Sequence, residues 1–151
     1  MTTVKIPGFE GRPLLSAIYA DSMGNLLIPA RAIGLYFYNL ETGNYFLIKH
    51  NPDDPKSMTE GFIETIFEER KGLLWFGMNN SGINVFDYRD SSISRILVEE
   101  GQPYAKRVRS IVRDRQGRIW VGTRNGLYLK ETLESGFYHY ECIEAFMPAT
   151  A

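Results

Sequence analysis

The chain has 151 residues, of which 44% are hydrophobic and 13% aromatic, and its formal net charge is −1. This composition indicates a folded domain with a core, and the near-zero charge gives no general attraction to nucleic acid or to an anionic membrane. The single cysteine, Cys142, excludes an internal disulfide. No apolar run approaches the roughly 18 residues of a membrane span, and the first residues lack the apolar core of a signal peptide.

The first predicted unit covers residues 14–50 and contains four short strands, called A to D in chain order. Strand A ends at Asp21, and the sequence Asp-x-x-Gly that follows predicts a tight turn, because the acid can bond forward to its own backbone and glycine accepts a positive φ. Strand B is predicted over 26–28, strand C from Leu35, and strand D over 45–49. Residues 1–13 are a candidate extra strand from a neighbouring unit.

The same pattern returns over residues 62–98 and 107–141. Residues 66–77 align with residues 111–122 at an offset of 45 without a gap. Residues 18–28 align with the start of the middle copy at an offset of 48. In the second and third units, strand B is predicted over 73–76 and 118–121, and strand D over 93–98 and 137–141. The residues that make up the core of the repeat are Gly72, Trp75, Gly77, Gly117, Trp120 and Gly122.

Four antiparallel strands in every 44 to 48 residues is the size of a β-propeller blade. A β-sandwich would not repeat one motif three times, and a β-solenoid has shorter repeats. We therefore expect an all-β fold, a single partial β-propeller of three four-stranded antiparallel blades. Because propellers close with about four to eight blades, we expect self-association into a dimer or larger species, or the remaining blades of a longer protein, to complete it.

The third copy carries a family resemblance. Residues 111–127, with the sequence IVRDRQGRIWVGTRNGL, resemble the two-component regulator propeller repeat, and the link 50–58 is similar to the connection between blades in that family. The earlier copies depart from the pattern. Leu27 stands where the repeat has tryptophan, Pro29-Ala30 replaces Gly-Thr, and Met78 replaces the threonine of the second copy.

The resemblance implies a sensory role. Such repeats form the extracytoplasmic sensor region of bacterial hybrid two-component histidine kinases, where they respond to glycan-derived oligosaccharides. This implies a non-catalytic module in the periplasm, attached to a membrane only through its parent protein, with no cofactor and no nucleic-acid partner. The alternatives are a protein-interaction or dimerisation scaffold and, as a third class, a propeller lyase or hydrolase.

A ligand is expected on the face that carries the longer connections. In an A-B-C-D meander, the B–C turns and the D–A links lie on one face, and here the D–A links are the longer ones. Arginine and asparagine suit hydroxyl or carboxylate ligands, and tyrosine suits the face of a sugar, although the same residues can simply shape turns. The ligand-binding candidates on this face are Arg31, Asn79, Asn80, Tyr104, Arg124 and Asn125.

The other candidate sites favour structural interpretations. Repetition of Trp75 and Trp120 favours packing between blades over ligand stacking. His50 with Asp53 and Asp54 could suggest a metal site, but their proline-rich segment is typical of an exposed connection, so no metal site is predicted. His139 is expected to be a surface residue, and no motif indicates a catalytic residue.

Charges are unevenly distributed between the second and third copies. The repeat register aligns Glu64 with Arg109 and Glu68 with Arg113. This favours charge complementarity between neighbouring blades, while an anion or acidic-sugar site near the central channel and nucleic-acid binding stay open as alternatives. The lack of overall positive charge argues against nucleic acid.

Overall fold

A computed structural model of the chain describes residues 1, 5–6, 14–132 and 134–140. Most of the candidate extra strand at residues 1–13 lies outside this part of the chain, as do Glu141, the last residue of the final predicted strand, and Cys142.

The described residues form three four-stranded sheets joined by turns and links. Their one helical segment is a short 3₁₀ helix, Pro103–Lys106. Blade 1 contains β1 (Tyr19–Ala20), β2 (Asn25–Ala30), β3 (Gly34–Asn39) and β4 (Tyr45–Ile48). Blade 2 contains β5 (Ile63–Arg70), β6 (Leu73–Met78), β7 (Ile83–Asp87) and β8 (Ser92–Ile96). Blade 3 contains β9 (Val108–Arg113), β10 (Ile119–Thr123), β11 (Gly126–Lys130) and β12 (Tyr138–Tyr140).

Each sheet is an antiparallel meander in which sequence neighbours pair. The predicted fold class is confirmed: the protein is an all-β propeller fragment of three four-stranded blades. Predicted strands B to D agree with the observed ones to within a few residues, because alternating apolar residues and glycine turns define them locally.

The strand registers place equivalent side chains in rows across each sheet. Row 1 comprises Tyr19, Leu27, Phe37 and Phe46. Row 2 comprises Phe67, Trp75, Val85 and Ser94. Row 3 comprises Val112, Trp120, Leu129 and Tyr138. Because successive residues of a strand point to opposite faces, each row lies on one face of its blade.

Blades 1 and 2 pack through a continuous apolar cluster. Leu27 and Phe37 of row 1 meet Ile66, Leu74 and Phe76 on the facing side of blade 2, and all five are buried. Phe37 also contacts the Phe76 ring edge-on at 6.5 Å between centroids. Burial of these large side chains against the next sheet is the main source of cohesion between the two blades.

Blades 2 and 3 repeat this arrangement. Trp75 of row 2 lies in a cluster with Val108, Ile111 and Val121 of blade 3. β5 lies beside β9, so the A strands of successive blades are neighbours. The repeat glycine of β6 allows this approach, because a Cβ on Gly77 would lie 2.7 Å from Val108 Cγ1.

Ion pairs do join neighbouring blades, but through partners other than those in the repeat alignment. Arg107 binds Glu64 at 2.8 Å, and Arg113 binds Glu69 at 3.0 Å. Glu68 instead accepts hydrogen bonds from the backbone and side chain of Ser22 in blade 1. The predicted charge complementarity between blades 2 and 3 is therefore present. Because the two sheets are staggered, Glu64 meets Arg107 instead of Arg109, and Arg113 meets Glu69 instead of Glu68.

The described residues contain neither a membrane-spanning helix nor a metal-binding cluster of side chains. No helix among residues 1, 5–6, 14–132 and 134–140 is long and apolar enough to cross a membrane. Within the same part of the chain, no group of three or more histidine, cysteine or acidic side chains is placed to hold a metal ion.

Candidate functional site

The B–C turns and D–A links meet on one face of the propeller, which we call the loop face. At the junction of blades 1 and 2, the Asn79 N–H of a B–C turn donates to the Phe62 carbonyl of a D–A link at 3.0 Å. At the junction of blades 2 and 3, Arg124 N–H donates to the Arg107 carbonyl at 3.1 Å. These two bonds are equivalent in the repeat, and each holds a B–C turn against the neighbouring D–A link.

At the junction of blades 1 and 2, Phe62 is the central residue. The Arg31 guanidinium lies over its ring, 3.9 Å from the centroid. The Phe62 N–H donates to Asn79 Oδ1 at 2.8 Å, so the side chain of this candidate is already engaged. The Arg31 side chain has this ring contact but no hydrogen bond within the described residues, so its guanidinium N–H groups are available to a ligand acceptor.

A groove opens beside this junction, with a volume of about 480 Å³. Its apolar wall contains Ile33, Met58 and Phe62, and its polar groups come from Lys49, His50 and Glu60. Ala32, on the rim, has φ of 64°, a left-handed conformation that alanine rarely adopts. An apolar wall with a few polar groups around it is a common form of small-molecule site.

His50 is held in one orientation at this groove. Its Nδ1 lies 2.9 Å from the Met58 carbonyl, which can only accept, so Nδ1 carries the proton of the neutral ring. Nε2 is then an acceptor with no partner among the described residues. The link that follows is closed by Asn51 N–H, which donates to Ser57 Oγ at 3.0 Å. His50 therefore offers a positioned acceptor for a ligand hydroxyl, a role other than the metal site weighed from the sequence.

At the junction of blades 2 and 3, Arg124 and Tyr104 lie together. The Arg124 guanidinium stands over the Tyr104 ring at 4.9 Å from its centroid, and the Tyr104 side chain is exposed. Arg31 on Phe62 is a similar contact at the junction of blades 1 and 2, but Arg31 belongs to the blade before its link and Arg124 to the blade after its link. Both junctions thus present a guanidinium on an aromatic ring at the loop face.

Asn125 takes part in a bonded cluster behind that pair. Its Nδ2 donates to the Tyr128 hydroxyl at 2.6 Å, and that hydroxyl donates to a Glu99 carboxylate oxygen. Burial, with the adjacent Glu99 carboxylate, raises the pKa of Tyr128. His139 stacks on the Tyr128 ring with centroids 4.5 Å apart, and its Nε2 lies 2.9 Å from the Asn125 carbonyl. Asn125 therefore shapes its turn, the simpler of the two roles considered for it.

The six sequence candidates thus form two groups, Arg31 with Asn79 and Asn80, and Tyr104 with Arg124 and Asn125. No hydrogen bond or ring contact joins the two groups within the described residues. The sequence did not identify Phe62, Met58 or Ile33 as site residues, because an isolated apolar residue in a link carries no signal of its own. The groups best placed for a ligand are the guanidinium N–H groups of Arg31 and Arg124 and the Nε2 of His50, which have no hydrogen-bond partner among the described residues.

The opposite face carries a polar network that holds blades 1 and 2 together. The Tyr88 hydroxyl donates to Asp21 Oδ2 at 2.6 Å, and Asn25 Nδ2 donates to the same Tyr88 oxygen at 3.1 Å. Burial, with Asp21 alongside, raises the pKa of Tyr88. These groups satisfy one another, so this network is structural.

Residues 105–125 match the family model described as two component regulator propeller. The third blade carries a two-component regulator propeller repeat. This confirms the resemblance seen in the sequence. A curated relative, histidine kinase P4 of Formosa agariphila, is 30% identical over 74 residues, which are 45% of this chain and 5% of that protein. The match therefore covers a small part of the relative.

Solved structures share the fold of this chain. One is named as the extracellular domain of the hybrid two component system BT3049 from B. thetaiotaomicron; it has 20% identity and a TM-score of 0.55 over 89% of this chain. Another, an extracellular domain of BT4673 from the same organism, has 16% identity and a TM-score of 0.64 over 84% of this chain. The chain spans 25% and 16% of these two structures, respectively.

Proposed function

We propose that this chain is a non-catalytic sensor module of a bacterial two-component signalling protein, and that it binds a glycan-derived oligosaccharide on its loop face. The observation that carries the proposal is the regulator propeller repeat of blade 3, in a fold shared with the extracellular domains of such systems. The proposal includes a location outside the cytoplasm, in the periplasm, with the parent protein as the membrane attachment, and the likeness to extracellular domains supports it.

The groove at the junction of blades 1 and 2 is the site that we assign to the ligand. Its apolar wall suits the C–H face of a sugar ring, and His50 Nε2, Glu60 and Lys49 suit its hydroxyl groups. Arg31 beside it would bind a hydroxyl or, better, a carboxylate, because a guanidinium offers several N–H donors in a fixed plane. The lining of the groove therefore suits the binding of a neutral or an acidic oligosaccharide.

The proposal is tested by calorimetric titration of the chain with neutral oligosaccharides and oligogalacturonides. We expect at least one to bind, and we expect Arg31→Ala and His50→Ala each to weaken binding about tenfold, the usual loss for a hydrogen bond to a charged or positioned group. Arg115→Ala is the matched control, because this exposed arginine lies in the A–B turn of blade 3 on the opposite face. Absence of binding by any sugar, or unchanged affinity in both variants, would contradict the proposal.

A second candidate function is that of a protein-interaction scaffold. It is favoured by one observation, the exposure of two row 3 side chains on the outer face of blade 3, Val112 and Tyr138. Tight self-association without any effect of sugars would favour this function over sensing.

A further inference from the structure

A second groove lies at the junction of blades 1 and 2, between their last strands β4 and β8, and has a volume of about 340 Å³. We call it the rim groove. Its apolar lining includes Phe46 of β4 and Phe86 and Ile93 of blade 2. Phe46 stacks on the buried Phe37 ring at 4.4 Å between centroids, yet its side chain is 43% exposed. The groove thus has a rigid aromatic wall open to solvent, and both of its sides belong to blades of this chain.

The outer edge of β4 has unpaired backbone groups. β4 is the last strand of its sheet and pairs only with β3. Beside the turn between them, the Asn39 N–H donates to the Asn44 carbonyl at 2.8 Å. Because hydrogen-bonded and non-hydrogen-bonded pairs alternate along an antiparallel ladder, this bond places Tyr45 and Leu47 at non-hydrogen-bonded positions. Their N–H and C=O groups therefore point away from β3, and no hydrogen bond among the described residues satisfies them.

The side chains of β4 do not protect this edge. Edge strands are normally kept from pairing with other chains by charged side chains, prolines or bulges. β8, the equivalent strand of blade 2, carries Arg95 and two serines. β4 instead consists of one tyrosine and three apolar residues, and Tyr45 and Phe46 are each 43% exposed. An unprotected edge beside an apolar groove suits an extended segment that adds to the sheet as a further strand.

The charged side chains that line the rim groove favour an acidic occupant. Lys49 and Lys56 are both exposed there, and neither forms an ion pair within the described residues. Asp54 also lines the groove, but its Oδ1 already accepts a hydrogen bond from the Lys56 N–H at 2.9 Å. A carboxylate on the occupant would complement the two lysines.

We propose that the rim groove binds an extended, acidic peptide segment of a partner protein, which pairs with the outer edge of β4. Alternate side chains of the added strand face the groove, so the segment carries apolar residues at every second position over Phe46 and Ile93. An aspartate or glutamate of the segment lies at Lys49 or Lys56. This interaction goes beyond the proposed sensing of a sugar and does not rest on it, although Lys49 borders both grooves.

The test selects a phage-displayed library of random dodecapeptides on the full chain, and the most enriched peptide is synthesised for calorimetric titration. We expect enriched sequences to combine alternate apolar residues with at least one acidic residue. Leu47→Pro removes an N–H that the peptide would use and should weaken binding about tenfold. Proline is tolerated there because this N–H is not part of the ladder with β3. Leu47→Ala, which keeps the N–H, is the matched control and should change the affinity by less than about twofold.

Lys56→Glu tests the charge and leaves every residue that lines the sugar groove in place. It should weaken peptide binding about fivefold, because an exposed attraction becomes a repulsion. Lys71→Glu, at an exposed lysine in the A–B turn of blade 2, is the control and should bind as the unchanged chain does. Circular dichroism verifies folding, and Lys56→Glu decides the question if Leu47→Pro does not fold.

Three outcomes overturn the proposal. The first is a library without any enriched peptide, and the second is an enriched peptide whose affinity is unchanged in the folded variants. The third is a dimer of the chain, measured by light scattering, that Leu47→Pro dissociates, because a second copy would then occupy the edge. Sugar titration of Lys56→Glu separates the two proposals: its affinity for sugar should equal that of the unchanged chain, whatever happens to the peptide.

Discussion

In blades 1 and 3, the aspartate that follows strand A organises the outer turn by accepting hydrogen bonds from the backbone of that turn. In blade 1, Asp21 Oδ1 accepts hydrogen bonds from the N–H groups of Met23 and Asn25 at 3.0 and 2.8 Å. In blade 3, Asp114 Oδ1 accepts from the N–H groups of Gln116 and Arg118 at 2.9 and 3.0 Å. A carboxylate at this position satisfies two turn donors at once, which explains why the repeat places an acid there.

Asp114 also gives the protein a pH dependence that can be measured. Donation from the Trp120 indole N–H, with further bonds from Arg118, lowers the pKa of Asp114 from 3.8 to about 2. A lowered pKa in the folded state stabilises the protein above the ordinary pKa of 3.8, and this contribution is lost as the pH falls through about 2. We expect urea unfolding between pH 5 and about 2 to show this loss.

The matched variant is Asp114→Asn, which keeps an acceptor but cannot be protonated in this range. Its free energy of unfolding should fall less between pH 5 and pH 2 than that of the unchanged protein. Identical pH dependence of the two proteins would show that the Trp120 bond does not stabilise the ionised carboxylate.

At the scale of the elements, the repeat glycines of strand B have different neighbours in blades 2 and 3. A Cβ on Gly77 would lie 2.5 Å from Thr65 Cγ2 and 2.7 Å from Val108 Cγ1, on the neighbouring blade. A Cβ on Gly122 would lie 2.5 Å from Ser110 Oγ, an atom that can rotate away within the same blade. Gly77 therefore permits the close approach of blades 2 and 3. Its equivalent Gly122 permits the close approach of two strands within blade 3.

We expect Gly77→Ala to destabilise the chain by about 2 kcal/mol, because either the strands or the blades must separate to admit the methyl group. Gly122→Ala should cost less than about 1 kcal/mol, since the serine side chain can change rotamer. Chemical denaturation of both variants measures the difference. An equal loss of stability in the two variants would mean that the approach of blade 3 to β6 does not depend on Gly77.

At the scale of the whole molecule, the two tryptophans of the repeat occupy equivalent positions with different surroundings. Trp75 is buried between blades 2 and 3, as predicted from its repetition. Trp120 is half-buried on the outer side of blade 3, donates its Nε1–H to Asp114 at 2.8 Å, and has Tyr140 beside it at 5.5 Å between centroids. The role of interblade packing therefore applies to Trp75 within this chain and not to Trp120.

Trp75→Ala should accordingly destabilise the chain by about 3–5 kcal/mol, the usual cost of removing a fully buried aromatic side chain. Trp120→Ala should cost about 1–2 kcal/mol, for a hydrogen bond and partial burial. Urea denaturation of the two variants measures these costs. A Trp120 variant as unstable as the Trp75 variant would show that the outer face of blade 3 is covered within one chain.

The sequence by itself determined the number of blades, the strands B to D and the turn chemistry, because these follow from alternation, glycine positions and a motif repeated every 44 to 48 residues. It also identified Arg31 and Arg124 on the loop face. Only the tertiary structure decided that Glu64 meets Arg107, that Asn79 and Asn125 are already bonded, and that His50 and Phe62 border a groove. Glu64 and Arg107 are 43 positions apart and Phe62 and Asn79 are 17 apart, so the stagger of packed sheets, and not the local pattern, selects these partners.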